Sequence, residues 1–391
     1  MTIVMSNRII SEKIYLITLF IWVVVASLVT TTYFIRLEGF LSLYRILLYF
    51  TIAMISIKEL MNFPKTLYYF RFHWQQLLIV MGLFIAMFIV AKNRDGLLDT
   101  NVLLLVFSAR DIDFRKLLGT FSAATFLVLC LTIYASQQGI IANMFMNADS
   151  GYRFSLGFNY VSFASQRLFF ALCTYLMFRG KRVSYLELSA LLLATIYMYR
   201  QTSTTSPFYL SILILTYALF SIKIFKKEFI IENFWLSKIA TYAFIIALML
   251  TLYFCFYSSG DVFRLVDQFT HNRLRLSVEG FQNFGVLLFG QRISFSTLDI
   301  FGNFTSNYNF IDSSFVQLLV IDGLVVGGFM LFALTNVMRY FVSIRKDIVL
   351  ACIGIMIIHG MFDPQMLVLR YSPLILFISR LFIVNEDAKI E

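Results

Sequence analysis

Residues 239–257, IATYAFIIALMLTLYFCFY, form an uncharged apolar run about as long as the 20 residues that a helix needs to cross a bilayer. A polar interval of 54 residues, 258–311, follows this run and is closed by a second long apolar run at 312–342. The interval holds one of the three histidines of the chain, four arginines and four acidic residues. The pattern predicts two membrane-spanning helices joined by a long loop, with any chemistry beside that loop at one face of the membrane.

The composition of the whole chain supports a membrane protein. Of the 391 residues, 60% are hydrophobic and only 14% are charged, and the mean hydropathy is +0.80. A soluble core of this size has no room for so much apolar surface, so lipid is the expected solvent for most side chains. The net charge of +10 would suggest nucleic acid as the partner of a soluble protein. In a membrane protein, basic residues orient the spans, and we expect the lipid bilayer and no nucleic acid as a partner.

The cysteines and histidines indicate no metal or redox site. All four cysteines lie inside or at the edge of apolar runs, none forms a CxxC pair, and no His/Cys cluster has the spacing of metal ligands. We therefore predict buried free thiols, no metal site and no cofactor.

Twelve apolar runs are candidates for spans, and the first is too long for the apolar region of a cleavable signal peptide, so it is interpreted as a signal anchor. The candidates are 14–34, 41–57, 75–91, 97–109, 117–136, 159–178, 184–199, 206–222, 239–257, 312–342, 347–362 and 366–384.

The charges of the connecting segments predict the orientation. With both termini in the cytoplasm, the inner segments carry 20 of the 32 basic residues and the outer segments carry 10. This excess agrees with the positive-inside rule. We therefore predict an all-α polytopic membrane protein with about twelve transmembrane helices. It is one integral domain, 1–391, with an extracytoplasmic loop, 258–311, between spans 9 and 10.

Two outer segments carry candidate phosphate ligands. In YRFSLGF, 152–158, Arg153 lies beside Ser and Gly at the membrane surface, which suits an anionic headgroup. An arginine that snorkels to lipid phosphate is the alternative. In the long loop, apolar residues at 262, 265, 266 and 269 predict an amphipathic helix with Arg264, Asp267, His271 and Arg275 on its polar face. This face would hold a possible general base between two cations, or it would rest on the bilayer with solvated charges.

Two further segments hold polar groups in or beside apolar runs. Asp312 is expected to be the N-cap of span 10, and Asp322 inside that span should face a partner or a wet cavity. Gly323 with residue 327 forms GxxxG, which favours close helix packing. His359 and Asp363 are four residues apart at the outer end of span 11, where they either face one another or form a structural turn.

The order of these segments resembles the Wzy-type polysaccharide polymerases, the O-antigen, capsule and exopolysaccharide polymerases of bacteria. The resemblance rests on YRFSLGF at 152–158, HNRLRL at 271–276, LFG at 288–290, DSSF and DG from 312 to 323, and HGMFDPQ at 359–365. It covers the chain from about residue 151 to residue 371.

The resemblance implies a metal-independent glycosyltransferase in the bacterial cytoplasmic membrane that acts at its outer face. Donor and acceptor would be glycans linked to undecaprenyl pyrophosphate, and a flippase and a chain-length regulator are candidate protein partners. Arginines would meet the charge that develops on the pyrophosphate, and a base would take the acceptor proton. The candidates are Arg153, Arg273, Arg275 and Arg292 for the pyrophosphate, and His271, His359 and Asp363 for the base.

Two other functions fit parts of the sequence. A flippase for lipid-linked oligosaccharides also has about twelve spans, but it should show two related halves and central intramembrane charges. An O-antigen ligase-like enzyme would use the same donor with a different acceptor.

Overall fold

The computed structural model describes residues 2–33, 40–63, 74–94, 99–148, 151–270, 272–298 and 304–382. This part of the chain is mostly helical, with short strands and 3-10 segments. The α-helices are α1 (Thr2–Leu28), α2 (Phe40–Met61), α3 (Trp74–Arg94), α4 (Asp99–Ser108), α5 (Phe114–Gln137), α6 (Phe163–Arg179), α7 (Tyr185–Thr202), α8 (Thr205–Ala218), α9 (Phe229–Glu232), α10 (Phe234–Thr241), α11 (Ala243–Phe256), α12 (Gly260–Phe269), α13 (Arg273–Phe284), α14 (Ser314–Val320), α15 (Gly323–Ser343) and α16 (Asp347–Gly360).

The remaining elements are short. A π-helical turn, Leu219–Ile224, extends α8, and 3-10 helices form at Ala109–Asp111, Gly180–Arg182 and Pro373–Phe382. The strands β1 (Phe145–Ala148) and β2 (Gly151–Phe154) pair antiparallel, as do β3 (Ser296–Leu298) and β4 (Phe304–Asn309).

Several helices are long and apolar enough to span a membrane, so the chain is a membrane-embedded helical protein. Within the described ranges there are four such helices, and five if one bent pair forms a single span. They are Ile9–Leu28, Phe114–Gln137, Thr205–Ile224 and Gly323–Ser343, with the pair Phe234–Thr241 and Ala243–Phe256. The presence of twelve spans, the orientation of the chain and the identity of the membrane remain predictions.

Some predicted spans are not single straight helices. The ninth is bent by 71° between α10 and α11. The fourth corresponds to the ten-residue helix α4, which rises only about 15 Å. The twelfth begins with turns at 366–372 and continues as the ten-residue 3-10 helix Pro373–Phe382, which is about 20 Å long, whereas the hydrocarbon core is about 30 Å thick.

The tenth predicted span is broken at Ile321 and Asp322, between α14 and α15. The segment after α13 forms backbone hydrogen bonds with the residues that follow the break. Leu324 and Val325 donate their N–H to the carbonyls of Leu287 and Leu288, at 3.1 and 3.0 Å. These loop carbonyls thus accept from two of the donors that the first turn of α15 leaves without an intrahelical partner.

The break depends on two glycines. Gly290 and Gly323 have φ of +70° and +89°, and the backbones cross so closely that a Cβ on Gly323 would lie 2.1 Å from the backbone nitrogen of Gly290. The LFG and DG motifs of the sequence therefore form one tight backbone contact.

The loop 258–311 contains an amphipathic helix over the predicted apolar positions, α12, but the helix ends at Phe269 and a second helix, α13, follows. Between α12 and α13, Asn272 adopts φ +65° and ends the helical periodicity. The predicted common polar face is therefore wrong. Arg264 pairs with Asp261 on the surface at 2.6 Å, while Asp267 is buried and accepts from the backbone N–H of Arg275 at 2.8 Å.

Three groups of buried apolar side chains hold the elements together. The largest runs from Tyr15 in α1 to Ile378 in the last 3-10 helix and includes residues of most long helices. A second packs α13 on α11 and α14, through Leu274, Phe281 and Val316 among others. The third, which includes Leu156 and Phe158, packs the segment after β2 on α5, α6 and α7. All four cysteines are free, and only Cys130 is exposed.

Candidate functional site

The helix α13 places Arg273, its first residue, over the turn that follows α16. Leu274 and Phe281 are buried against α11 and α14, which fixes the direction of the helix. Gly280 allows the close approach of the chain at Ile311, because a Cβ there would lie 2.8 Å from the Ile311 side chain. This contact packs α13 against the segment that carries Asp312.

Arg273 binds the HGMFDPQ turn directly. Its Nη1 donates to the Phe362 carbonyl at 2.6 Å and to Asp363 Oδ2 at 3.2 Å. The Asp363 side chain is completely buried, while 21% of the Arg273 side chain remains exposed. The guanidinium therefore covers the carboxylate from the solvent side and keeps a face open.

Neutral groups from distant parts of the chain hold Asp363 in place. Its Oδ1 accepts from the Gln365 backbone N–H at 3.0 Å, and its Oδ2 accepts from Gln166 Nε2 of α6. Gln365 Nε2 in turn donates to Gln166 Oε1 at 2.6 Å, and Ser314 Oγ of α14 donates to the Asp363 carbonyl at 2.6 Å. The turn is thus fastened to two helices.

His359 lies beneath this network. Its Nε2 is 3.7 Å from Asp363 Oδ2 and has no hydrogen-bond partner among the residues that the structure describes, while Nδ1 is 3.1 Å from Ser206 Oγ. The ring is almost fully buried and packs on Phe169 and Phe170. Direct contact of this ring with a substrate would require the site to open.

The second arginine of the site, Arg153, comes from β2. Its Nε donates to the Thr202 carbonyl at 2.8 Å and its Nη2 to Thr204 Oγ1 at 3.3 Å, both at the end of α7. Gly157, at φ +87°, allows the following residues to turn back under the strand, because a Cβ there would meet Ile141 at 2.6 Å. This turn delivers Tyr160 to the same region.

The charges of these segments influence one another. Burial alone would lower the pKa of Arg273, but the carboxylates of Asp312 and Asp363 raise it above its ordinary value. Burial raises the pKa of Asp312 and of Tyr160, and Arg273 opposes both shifts. Burial raises the pKa of Asp363 to about 6, again against the effect of Arg273. Arg273 is therefore the electrostatic centre of the site.

Arg153 belongs to the same electrostatic group. Burial lowers its pKa, with the Tyr160 phenol opposing this effect and Arg273 adding to it. Two arginines within range of one another favour an anion between them.

The structure brings together four of the seven residues predicted from the sequence: Arg153, Arg273, His359 and Asp363. Arg275 lies outside the group, because its side chain is 59% exposed and pairs with Glu279 at 3.7 Å. Arg292 is exposed in the segment that follows Gly290. His271 lies outside the described residues.

Three residues of this group were not predicted as site residues: Tyr160, Gln166 and Asp312. Asp312 was expected to be an N-cap, but the Ser313 hydroxyl caps α14 by accepting from the Val316 N–H. The Asp312 carboxylate is part-exposed and makes no hydrogen bond or ion pair within the described part of the chain. The DSS run that suggested a cap already contained this signal, because serine is as good a cap as aspartate.

No group of three or more His, Cys, Asp or Glu side chains that could hold a metal ion occurs among the described residues. The polar atoms that face the site are guanidinium, phenol, carboxylate and amide groups. No family model matches the chain, and no curated protein and no solved structure matches it.

Proposed function

We propose that the protein is a glycosyltransferase that polymerises oligosaccharide repeat units linked to undecaprenyl pyrophosphate, at the outer face of the bacterial cytoplasmic membrane. The observation that carries the proposal is the convergence of Arg153, Arg273 and Asp312, from β2, the start of α13 and the segment before α14, on one partly open site. Transfer from a pyrophosphate-activated sugar requires cations for the leaving group and a base for the acceptor, and the Asp312 carboxylate makes no hydrogen bond or ion pair among the described residues. Three of the motifs that resemble the Wzy-type polymerases, at 152–158, 271–276 and 312–323, contain these three residues.

The two arginines are assigned to the leaving group. As the bond between the anomeric carbon and the phosphate oxygen breaks, negative charge grows on the lipid pyrophosphate. A guanidinium binds phosphate oxygens through two parallel hydrogen bonds, and its charge does not titrate. Arg273 is held in place by the Phe362 carbonyl and by Asp363, so little reorganisation is needed during the reaction.

Asp312 is assigned as the general base. It would accept the proton of the acceptor hydroxyl as that oxygen forms the new bond to the anomeric carbon. A raised pKa strengthens a carboxylate as a base, and burial raises the pKa of Asp312. Asp363 is then a positioning residue, because it is buried beneath Arg273 and pairs with its guanidinium, and His359 is buried behind Asp363 with its Nε2 3.7 Å from Oδ2.

The test is the identity of the lipid-linked glycan in cells that lack the protein, complemented with variants. A polymerase deletion accumulates single lipid-linked repeats at the outer face. Full-length lipid-linked chains would instead indicate a ligase-like enzyme, and single repeats trapped inside would indicate a flippase. Arg273→Ala should reproduce the deletion, with chain extension reduced by at least about 100-fold, as is typical for one lost charge-stabilising donor.

The matched control is Arg264→Ala. This arginine belongs to the same loop, but its side chain is 80% exposed and it binds only Gly260 and Asp261 of its own helix in the described structure. It should extend chains as the wild type does, at the same abundance in the membrane. Equal loss in both variants would contradict the assignment of Arg273.

A further inference from the structure

A second cavity of about 250 Å³ borders the candidate site. It lies between α3, α14, α15 and the segment after Asp363, and Ile293 and Phe295 of the long loop form another part of its wall. Ser314 connects the two places, because it lines the cavity and its hydroxyl donates to the Asp363 carbonyl at 2.6 Å. A ligand in this cavity would therefore lie next to the reacting groups.

The polar part of the wall carries one excess positive charge. Arg94 binds Asp322 through two hydrogen bonds, Nε to Oδ1 at 2.8 Å and Nη2 to Oδ2 at 2.6 Å, so this pair is neutral. Arg94 Nη1 also donates to Gln317 Oε1 at 3.1 Å. Arg370 is the other charged residue among those that line the cavity. Two arginines and one aspartate leave a net charge of +1.

Arg370 has unused hydrogen-bonding capacity. Its Nε is buried without a hydrogen-bond partner, and its side chain forms no ion pair within the described part of the chain. Its backbone is held firmly, because its carbonyl accepts from Arg167 Nη1 at 2.8 Å and from Ser27 Oγ at 3.2 Å. Arg370 therefore lines the cavity from a fixed backbone position, and its guanidinium has no ion-pair partner among the described residues.

The cavity size and its remaining wall define the ligand further. A volume of about 250 Å³ is slightly below the range of pockets that hold drug-sized molecules, so it fits one sugar ring and not a longer chain. Val326, Met330 and Ile375 form apolar walls, and Phe295 offers an aromatic face. Asn93 Nδ2 already donates to the Phe289 and Ile321 carbonyls, so its Oδ1 is the part of this amide that can accept from a sugar hydroxyl. A net charge of +1 matches a carboxylate better than a doubly charged phosphate.

We propose that this cavity binds one acidic sugar residue of the glycan, a pyranose with a carboxylate of the uronic acid type. The carboxylate would bind Arg370, and the ring would lie between Phe295 and the apolar walls. This inference rests on the proposed function, because it names the class of glycan that the polymerase would accept. A sugar carboxylate and inorganic phosphate are both oxyanions that an arginine attracts. The experiment therefore tests glucuronate and phosphate as separate ligands.

The test is saturation-transfer NMR on the purified full-length protein in detergent, with sodium glucuronate, glucose and inorganic phosphate as separate probes. We expect binding of glucuronate that is at least about tenfold tighter than that of glucose, and no displacement by equimolar phosphate. Loss of one charged hydrogen-bond donor should weaken glucuronate binding by roughly 10- to 100-fold in Arg370→Met. Arg370→Lys, which keeps the charge but loses the fork, should be intermediate.

Two further variants control for misfolding of the Arg370 variants. Val326→Phe fills the cavity without touching a charge and should also abolish glucuronate binding. Arg345→Met removes an exposed arginine that pairs with Glu228 at 3.2 Å, and it should bind glucuronate as the wild type does. Unchanged binding in both Arg370→Met and Val326→Phe, or preferred binding of phosphate, would overturn the inference.

The same proteins distinguish failure of this inference from failure of the proposed function. Extension of a neutral lipid-linked repeat by a protein that does not bind glucuronate would refute the acidic-sugar site and leave the polymerase in place. Glucuronate binding by a protein that extends no lipid-linked repeat would refute the polymerase, while the cavity would remain a site for acidic sugars.

Discussion

Replacing Arg273 by glutamine should both destabilise the fold and abolish chain extension, and a second substitution can separate these effects. The change removes the hydrogen bonds of 2.6 and 3.2 Å to the Phe362 carbonyl and to Asp363. It leaves a carboxylate with 0% exposure without a cation. Removing one partner of a buried ion pair costs roughly 3–5 kcal/mol. Because 21% of the Arg273 side chain is exposed, we expect the lower end, about 3 kcal/mol.

Adding Asp363→Asn to Arg273→Gln removes the uncompensated charge. The amide has one acceptor oxygen where the carboxylate has two, so either the Gln166 Nε2 or the Gln365 N–H loses its acceptor. One unsatisfied buried donor costs about 1–3 kcal/mol. The double variant should therefore recover up to about 2 kcal/mol relative to Arg273→Gln alone.

Chain extension should not recover with stability. If Arg273 meets the charge of the leaving group, both variants lack that cation and both should be slower than the wild type by at least about 100-fold. Stability is measured by unfolding in mixed micelles with increasing SDS, followed by the fluorescence of the three tryptophans. Extension is measured on purified lipid-linked repeats, with Arg264→Gln as the matched control.

Recovery of long-chain glycan in the double variant would mean that Arg273 only neutralises Asp363, and the catalytic assignment would fall. An Arg273→Gln protein as stable as the wild type would show that the ion pair contributes nothing to the fold.

Four other predictions follow from the fold and the site. A thiol introduced at the exposed Ser294 should react with an impermeant reagent from outside the cell and one at Lys226 should not; the reverse pattern would invert the topology. Chelators should leave extension of purified lipid-linked repeats nearly unchanged, because arginines can neutralise the leaving group, and loss that magnesium restores would refute this. Extension should fall as the pH drops through about 6, because burial raises the pKa of Asp363 to about 6. Protonation then removes the charge that holds Arg273, and a flat pH–rate profile between about pH 5 and 7 would contradict this. Gly323→Ala should lose most folded protein, because φ +89° alone costs about 1–3 kcal/mol and the new Cβ meets backbone, whereas Gly328→Ala should express normally because nothing lies within 4 Å of its Cβ.

Periodicity and composition were sufficient to predict the helical membrane class. Apolar runs such as 205–224 and 323–343 are visible in the sequence because transfer to lipid depends on the average polarity of about 20 neighbouring residues. The break in the tenth span was not predictable in this way. It requires Asp322 to meet Arg94 and the loop carbonyl of Leu287 to meet Leu324, and these contacts join residues far apart in sequence.

The candidate site likewise combines residues that the local sequence indicated with contacts that only the packing of distant segments decided. The sequence indicated Arg153 and Arg273 because arginines in the outer segments suit a phosphate, and His359 and Asp363 because polar residues at the end of an apolar run are costly. It also named both Arg273 and Arg275. Residues two positions apart on an α-helix point about 200° apart, so they face nearly opposite sides, and only the packing of α13 decided which of the two faces Asp363.

What the sequence alone determined was therefore the solvent of each segment, lipid or water, and a short set of residues with the right chemistry. What only the tertiary structure decided was which of these residues meet. Gln166 and Asp363 bind across 197 positions, and Asp312 became a site residue because Gly280 allows α13 to approach Ile311. Local patterns report the energy of a residue in its own surroundings, whereas a site depends on contacts that form only when distant segments pack together.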